Sequence, residues 1–200
     1  NRQQRRSWEA GGRKTMAERV RAVPGVVRVA PLVKGQVMAS AGNRNAGVEV
    51  FGIASDDLAA IPRIGQGDAH QGSVADFDEG IAIGSGVARE LGVEVGDRVR
   101  LISPDGARTP FGTSPRVSAY EVVYIFQVGR WDIDRVRVYM PFAEAQTYFN
   151  RDGVADEIEV YLDDANFNND LDLGAVPGAA VIDPVVPTDG PAYVGDFHRL

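Results

Sequence analysis

The sequence predicts an α+β fold on three observations. A short helical pattern near the N-terminus runs into a long Val-rich β-hairpin, and a strand–helix–strand unit begins at Gly80. Two further strand-like runs, 98–102 and 120–126, flank a segment that holds Pro104, Pro110, Pro115, Gly106 and Gly112. Prolines cannot donate to a sheet ladder and glycines weaken a strand interior, so residues 103–117 are expected to leave the sheet as a protruding hairpin arm or long loop.

Taken in order, residues 1–12 are polar, end in Gly11-Gly12 and read as a flexible tail. Met16, Ala17, Val20 and Val23 recur at helical spacing until Pro24-Gly25 stops the helix. The run from Val26 to Ala41 is nearly continuous in strand character, turns at Gly42-Asn43-Arg44, and returns through 47–53 as a hairpin. Residues 54–79 show little periodicity and read as a loop-rich crossover. Ile81-Ala-Ile83 is a short buried strand, and Gly84-Ser85 starts a helix whose stripe is Val87, Ala88 and Leu91, closed by a left-handed cap at Gly92. After the arm, strands are expected at 120–127 and 136–140. A short helix then buries Phe142, Ala145, Tyr148 and Phe149, and a strictly alternating strand follows at 157–162. Beyond Asp163 the Asn- and Pro-rich chain reads as an irregular tail with at most one strand, around 179–182.

Composition excludes several classes of function. With 21 Lys and Arg against 28 Asp and Glu, the net charge of −7 gives no reason to expect nucleic acid as a partner. Cysteine is absent, which removes thiol chemistry and disulfides and suits an oxidising compartment as well as the cytosol. No run approaches the roughly 20 apolar residues that cross a bilayer. The chain opens without Met, and is expected to be an excised domain whose targeting and anchoring segments lie outside it.

The catalytic signatures fail one by one. Ile83-Gly84-Ser85-Gly86 follows a strand and opens a helix, but Arg89 stands at the third glycine of a dinucleotide fingerprint, so capping and packing are the expected role. Ile83 and Val87 stand where a nucleophile elbow requires glycines. Gly11-Gly-Arg-Lys-Thr15 lacks the glycine that precedes the lysine of a phosphate loop. His70 and His198 have no second ligand at metal-binding spacing. Asp132 and Asp134 are expected in a surface ion-pair cluster with Arg130, Arg135 and Arg137. Trp131 is expected in the core at a strand end, with a partner contact as the alternative. A small hydrolase or metal-dependent enzyme using Asp132, Asp134 and His70 is the competing reading from another class. No catalytic residue, cofactor or metal is expected.

The arm remains. On the residues alone it is either a long surface loop with an incidental Phe111, or a stiff finger that presents Phe111 to a partner. Arg100, Arg108 and Arg116 surround Phe111 in sequence, and aromatic and arginine side chains are what interfaces enrich. A basic collar on an acidic protein would suit an acidic rim on the partner.

The ordered set of 81–99 (Ile-Ala-Ile-Gly-Ser-Gly-Val-Ala-Arg-Glu-Leu-Gly-Val-Glu-Val-Gly-Asp-Arg-Val), Thr109-Pro-Phe-Gly112, Pro115-Arg116 and Val-Val-Tyr-Ile-Phe-Gln-Val-Gly (122–129) resembles a known family. With Tyr-Met-Pro-Phe-Ala-Glu-Ala-Gln (139–146) and Ala-Val-Pro-Gly-Val (22–26), it resembles the periplasmic domain of lipoprotein-releasing ABC transporter permeases of the LolC/LolE type. The resemblance spans about 13–164. It implies two mixed α/β subdomains of the MacB type. The first is 13–54 plus the strand 157–162, 55–79 cross over, and the second, 80–150, carries the hook, with an irregular tail at 165–200.

It further implies a non-catalytic domain on the periplasmic face of the bacterial inner membrane, set between membrane helices that this chain lacks. The expected partners are a LolA-like periplasmic lipoprotein carrier, a partner permease, a separate cytoplasmic ATPase subunit and lipoprotein cargo. Thr109, Pro110, Phe111, Gly112 and Pro115 match the family's hook, and Arg100, Arg108 and Arg116 join them as expected partner-binding residues. Family members often carry Met at the position of Phe111, which keeps a large apolar tip. The runner-up is the periplasmic domain of a MacB-type efflux permease that couples to an adaptor protein.

Overall fold

A computed structural model describes residues 16–65, 67, 69–109, 112–162 and 192–196. At 105, 107–109, 112–113 and 192–196 it describes the backbone alone. The tail readings for 1–12 and for 163–191, including the strand expected at 179–182, fall outside these residues, as do the Lys14 loop and His198. The chain divides into two compact units, 1–32 with 153–200, and 33–152.

In the first unit, α1 (Met16–Arg21) buries Val20, and Gly25, at φ 87°, lets the chain reverse after Pro24. The opening half of β1 (Val26–Ala41) pairs antiparallel with β8 (Glu157–Leu162). β8 pairs on its other side with β9 (Ala192–Asp196), a strand the sequence reading missed. The alternation expected in β8 holds: Ile158, Val160 and Leu162 are buried and form a small core with Val20, Val29, Met16, Ala17 and Val23. Arg28 stacks 3.5 Å over the Tyr161 ring.

In the second unit the closing half of β1 returns through β2 (Arg44–Ile53) in a regular hairpin from Val33↔Gly52 to Ala41↔Arg44. The sequence reading kept this hairpin with the first subdomain. In the structure it belongs with the second unit, because β2 pairs in parallel with β7 (Arg137–Pro141) and β1 pairs antiparallel with β5 (Arg98–Thr109). β7 continues to β4 (Ile81–Gly84), β4 to β6 (Gly112–Phe126) in parallel, and β6 back to β5. The pairings therefore close into a ring, β1-β2-β7-β4-β6-β5, which leaves these strands no open edge as a body. Inside lie Val37, Val48, Val50, Ile83, Leu101 and Met140.

Between the strands, 54–79 hold short elements rather than a bare loop: α2 (Ser55–Ala59), α3 (Pro62–Gly65), β3 (His70–Gly72) and a 3₁₀ turn (Val74–Glu79). Leu58, Ile64 and Phe77 anchor them in the core. Each is too short to show a period. Helix α4 (Ser85–Leu91) ends as expected on Gly92 at φ 67°. After α5 (Trp131–Asp134), α6 (Phe142–Tyr148) buries Ala145 and Tyr148 against the barrel. It lies so close that a side chain at Gly52 would collide with the Ala145 Cβ, and one at Gly35 with the Phe149 ring.

Candidate functional site

The arm grows out of the β5–β6 pair. The two strands run regularly from Arg98↔Glu121 to Ser103↔Arg116, lose register, and resume from Ala107↔Ser114 to Thr109↔Gly112. The arm is thus a paired two-stranded ribbon, the hairpin arm of the two expected forms and not the long loop. β1 meets β5 only from Met38↔Ile102 to Ser40↔Arg100, so beyond Ile102 the described ladder is β5 with β6 alone.

The prolines explain the irregularity. Three residues, Pro104, Asp105 and Gly106, oppose the single Pro115 between the two regular stretches. Neither proline has an N–H to give, so a bulge is where a ladder tolerates them. Gly106 is required there, because any Cβ would collide with the Ser114 carbonyl and crowd the Arg116 amide.

The expected partner-binding residues are placed as follows. Thr109 and Gly112 form the last pair of the ribbon, Pro115 is exposed at its bulge, and Arg108 pairs with Thr113 on its shaft. Pro110 and Phe111 lie outside the described residues. Arg100 is on the barrel wall, where its Nη2 donates to Ser40 Oγ at 3.5 Å. At about 3.3 Å per residue, roughly 30 Å of strand separates it from Thr109, so it does not collar the tip.

Arg116 also departs from the expected collar. Its guanidinium donates to the Thr147 carbonyl, to the Tyr148 carbonyl at 2.8 Å and to Asn150 Oδ1 at 2.7 Å. These groups sit at the C-terminal end of α6, where the helix dipole favours a cation. Four residues along β6, the Tyr120 hydroxyl donates to Glu144 Oε1 on α6 at 2.9 Å. Burial, then this carboxylate, raises the Tyr120 hydroxyl above its usual range. The Tyr148 hydroxyl is pushed up to about 12, chiefly by burial, against a lowering influence of Arg116.

At the arm's root the outer barrel wall carries an apolar row that the sequence reading missed. Gly47, Met38, Ile102 and Val117 stand side by side on four strands, with Met38 and Val117 exposed. They adjoin a shallow groove reached by Pro104, Pro115 and Val136. No sequence signal marks the row, because Met38 sits in the unbroken apolar run Val37-Met38-Ala39, which does not say which side faces out.

The competing catalytic set does not assemble. Asp134 is buried and accepts from the Val128 and Gly129 amides at 2.9 and 3.0 Å, so it organises a turn instead of joining the surface ion-pair cluster expected of it. Asp132 does form the expected pair, with Arg130 at 2.8 Å, and this hydrogen-bonded contact holds its carboxyl below the usual range. Arg135 pairs with Glu90 at 2.9 Å, while Arg137 stacks on Phe51. His70 Nδ1 donates to the Gly67 carbonyl at 2.7 Å. Among the described residues, no three His, Asp or Glu side chains are grouped to hold a metal.

Trp131, expected in the core, is 72% exposed with Arg135 over its ring. Its apolarity called for burial, but α5 holds only four residues and turns its buried side on Asp134. Gly84 and Gly86 fit the packing role, since side chains there would collide with the backbone of Asp134 and with Arg135.

A family model described as the MacB-like periplasmic core domain matches residues 2–169. The lipoprotein-releasing system transmembrane protein LolC of Neisseria meningitidis serogroup B is 28% identical over 132 residues, 64% of this chain and 31% of that protein. The lipoprotein-releasing system transmembrane protein LolE of Haemophilus influenzae is 28% identical over 164 residues, 79% of this chain and 38% of that protein. The chain thus spans about a third of the length of the curated relatives it matches. Among solved structures, the extracellular domain of the noncanonic ABC-type transporter YknZ from Gram-positive bacteria shares the fold. Its TM-score is 0.51 at 18% identity, over 76% of this chain and 73% of that one.

Proposed function

Because this chain belongs to the family of MacB-like periplasmic core domains, we propose that it is the periplasmic part of a lipoprotein-releasing ABC transporter permease. Its β5–β6 arm would hold a LolA-like lipoprotein carrier in the periplasm. The observation that carries this reading is the ribbon itself, which continues past the last rung of the barrel to Thr109↔Gly112, the pair that brackets Pro110-Phe111 in the sequence.

Two features support it. The ribbon resumes its pairing beyond the bulge, from Ala107↔Ser114 to Thr109↔Gly112, so its end is a paired finger rather than a free loop, and a preorganised finger loses little entropy on binding. The apolar row of Met38, Ile102 and Val117, exposed at Met38 and Val117, lies beside the arm's root, where a partner clasping the tip would find a second apolar surface. In this reading Thr109, Pro110, Phe111 and Gly112 contact the carrier, Pro115 and Arg108 flank the contact, Arg100 stays on the barrel wall below it, and Arg116 acts from behind it. A separate ATPase subunit on the cytoplasmic side of the inner membrane would drive the cycle through membrane helices flanking this domain, moving lipoprotein cargo toward the waiting carrier together with a partner permease.

The experiment is a pull-down of the 200-residue chain against periplasmic extract, comparing the intact arm with one trimmed from Ala107 to Ser114. Capture of a small lipoprotein carrier by the intact chain alone is the expected result. Equal capture by both, or capture of a transport adaptor protein instead, overturns the reading in favour of the efflux type.

A further inference from the structure

We propose that Arg116 is a positioning residue, a latch that ties the root of the arm to the C-terminal end of α6 and so sets the direction in which the arm leaves the barrel. That the direction matters to a partner rests on the function proposed above; the latch itself does not.

Past Ser103↔Arg116 the arm has two strands and an interrupted ladder, and a two-stranded ribbon in water is marginal without something to pack against. The bulge of Pro104, Asp105 and Gly106 opposite Pro115 is also where such a ribbon would pivot. The last regular rung below that pivot is the one that carries Arg116.

From that rung the guanidinium reaches off β6 to three acceptors at one helix end: the Thr147 and Tyr148 carbonyls and Asn150 Oδ1. Asn150 adopts φ 54°, a left-handed conformation that non-glycine residues seldom take, and it is the one such residue among those described. That turn brings its side chain round to the same guanidinium. The three acceptors together match the planar donor fork of an arginine better than the point charge of a lysine.

A latch works only if its far end is fixed, and α6 is. Ala145 and Tyr148 are buried in the barrel core, and Gly52 and Gly35 let the helix and Phe149 approach the strands as closely as backbone allows. The Tyr120–Glu144 hydrogen bond is a second tie nearer the N-terminal end of α6. β6 is therefore held to one rigid helix at two points on its own side of the bulge.

The chain has no cysteine, so Ser114→Cys on the ribbon and Glu94→Cys on the barrel, both at exposed positions, take a spin-label pair without competing sites. The distance distribution between the labels is measured by pulsed electron resonance in the 200-residue chain. The expected result is a distribution about twice as wide in Arg116→Ala as in the parent, with partial narrowing restored in Arg116→Lys. An unchanged width in Arg116→Ala overturns the proposal. Should Arg116→Ala fail to fold, Asn150→Ala, which removes one of the three acceptors, is expected to widen the distribution less, and no change there overturns the proposal equally. No partner is present in this measurement, so its outcome is independent of whether Phe111 contacts a carrier.

Discussion

The carboxylate of Asp134 shows how a single side chain fixes local geometry in this barrel. It is buried and accepts from two consecutive amides, Val128 and Gly129, in the turn after β6. Replacing it with alanine leaves those donors without an acceptor, at a cost of about 1–3 kcal/mol. Asp134→Ala is therefore expected to lower the urea midpoint of unfolding, while Asp132→Ala, which removes only an exposed pair with Arg130, leaves it nearly unchanged. Four tyrosines bear on stability in alkali. Burial raises the hydroxyls of Tyr120, Tyr124, Tyr148 and Tyr161 in the folded state. A raised value means the native state holds its proton where the unfolded chain has lost it. The stabilisation is complete below about pH 10, the ordinary tyrosine value, and is lost progressively above it. Urea unfolding from pH 8 to 11 is expected to show a falling midpoint above about 10, with a shallower fall in Tyr120→Phe. A midpoint that stays flat to pH 11 would contradict the buried hydroxyls.

At the scale of elements, the seating of α6 on the β1–β2 hairpin is the contact most sensitive to volume. Gly52→Ala adds a methyl where the Ala145 Cβ already lies. Neither neighbour has a flexible end to move aside, so helix and strand must separate, at a cost of about 1–3 kcal/mol. The same substitution is expected to loosen the arm, because the latch partner moves with α6. Faster amide exchange in β6 near Arg116, beyond what the stability loss alone produces, checks this.

The elements themselves were legible to different degrees. The β1–β2 hairpin, α4 with its Gly92 cap and the alternation of β8 are written in local pattern. The arm was legible as an excursion, hairpin or loop, but the choice between the two was not, since Pro104, Pro115 and Gly106 signal an interrupted ladder without saying that it resumes at Ala107↔Ser114. The role of Arg116 was not legible at all, because its acceptors Thr147, Tyr148 and Asn150 lie more than thirty positions downstream. Trp131 misled for a related reason: apolarity argues for burial, but a four-residue helix has one inward side, and Asp134 occupies it.

For the whole molecule, no local pattern announces that the second unit closes. The closing pairs join strands far apart in sequence, such as β2 with β7 at Val50↔Val138, and long-range pairing leaves no trace in a sliding window. In the proposed function closure matters because it turns β5 and β6 into staves of a barrel, so that their extension leaves a fixed base. In that reading the domain is a scaffold and the arm its working part.

The most direct test of that claim is the affinity of the 200-residue chain for the purified periplasmic carrier, measured by calorimetry with Phe111 and with Phe111→Asp. An apolar anchor at the centre of an interface is worth about 2 kcal/mol or more, so the substitution is expected to weaken binding at least about 30-fold with the unfolding midpoint unchanged. Equal affinity for the two chains would contradict the account.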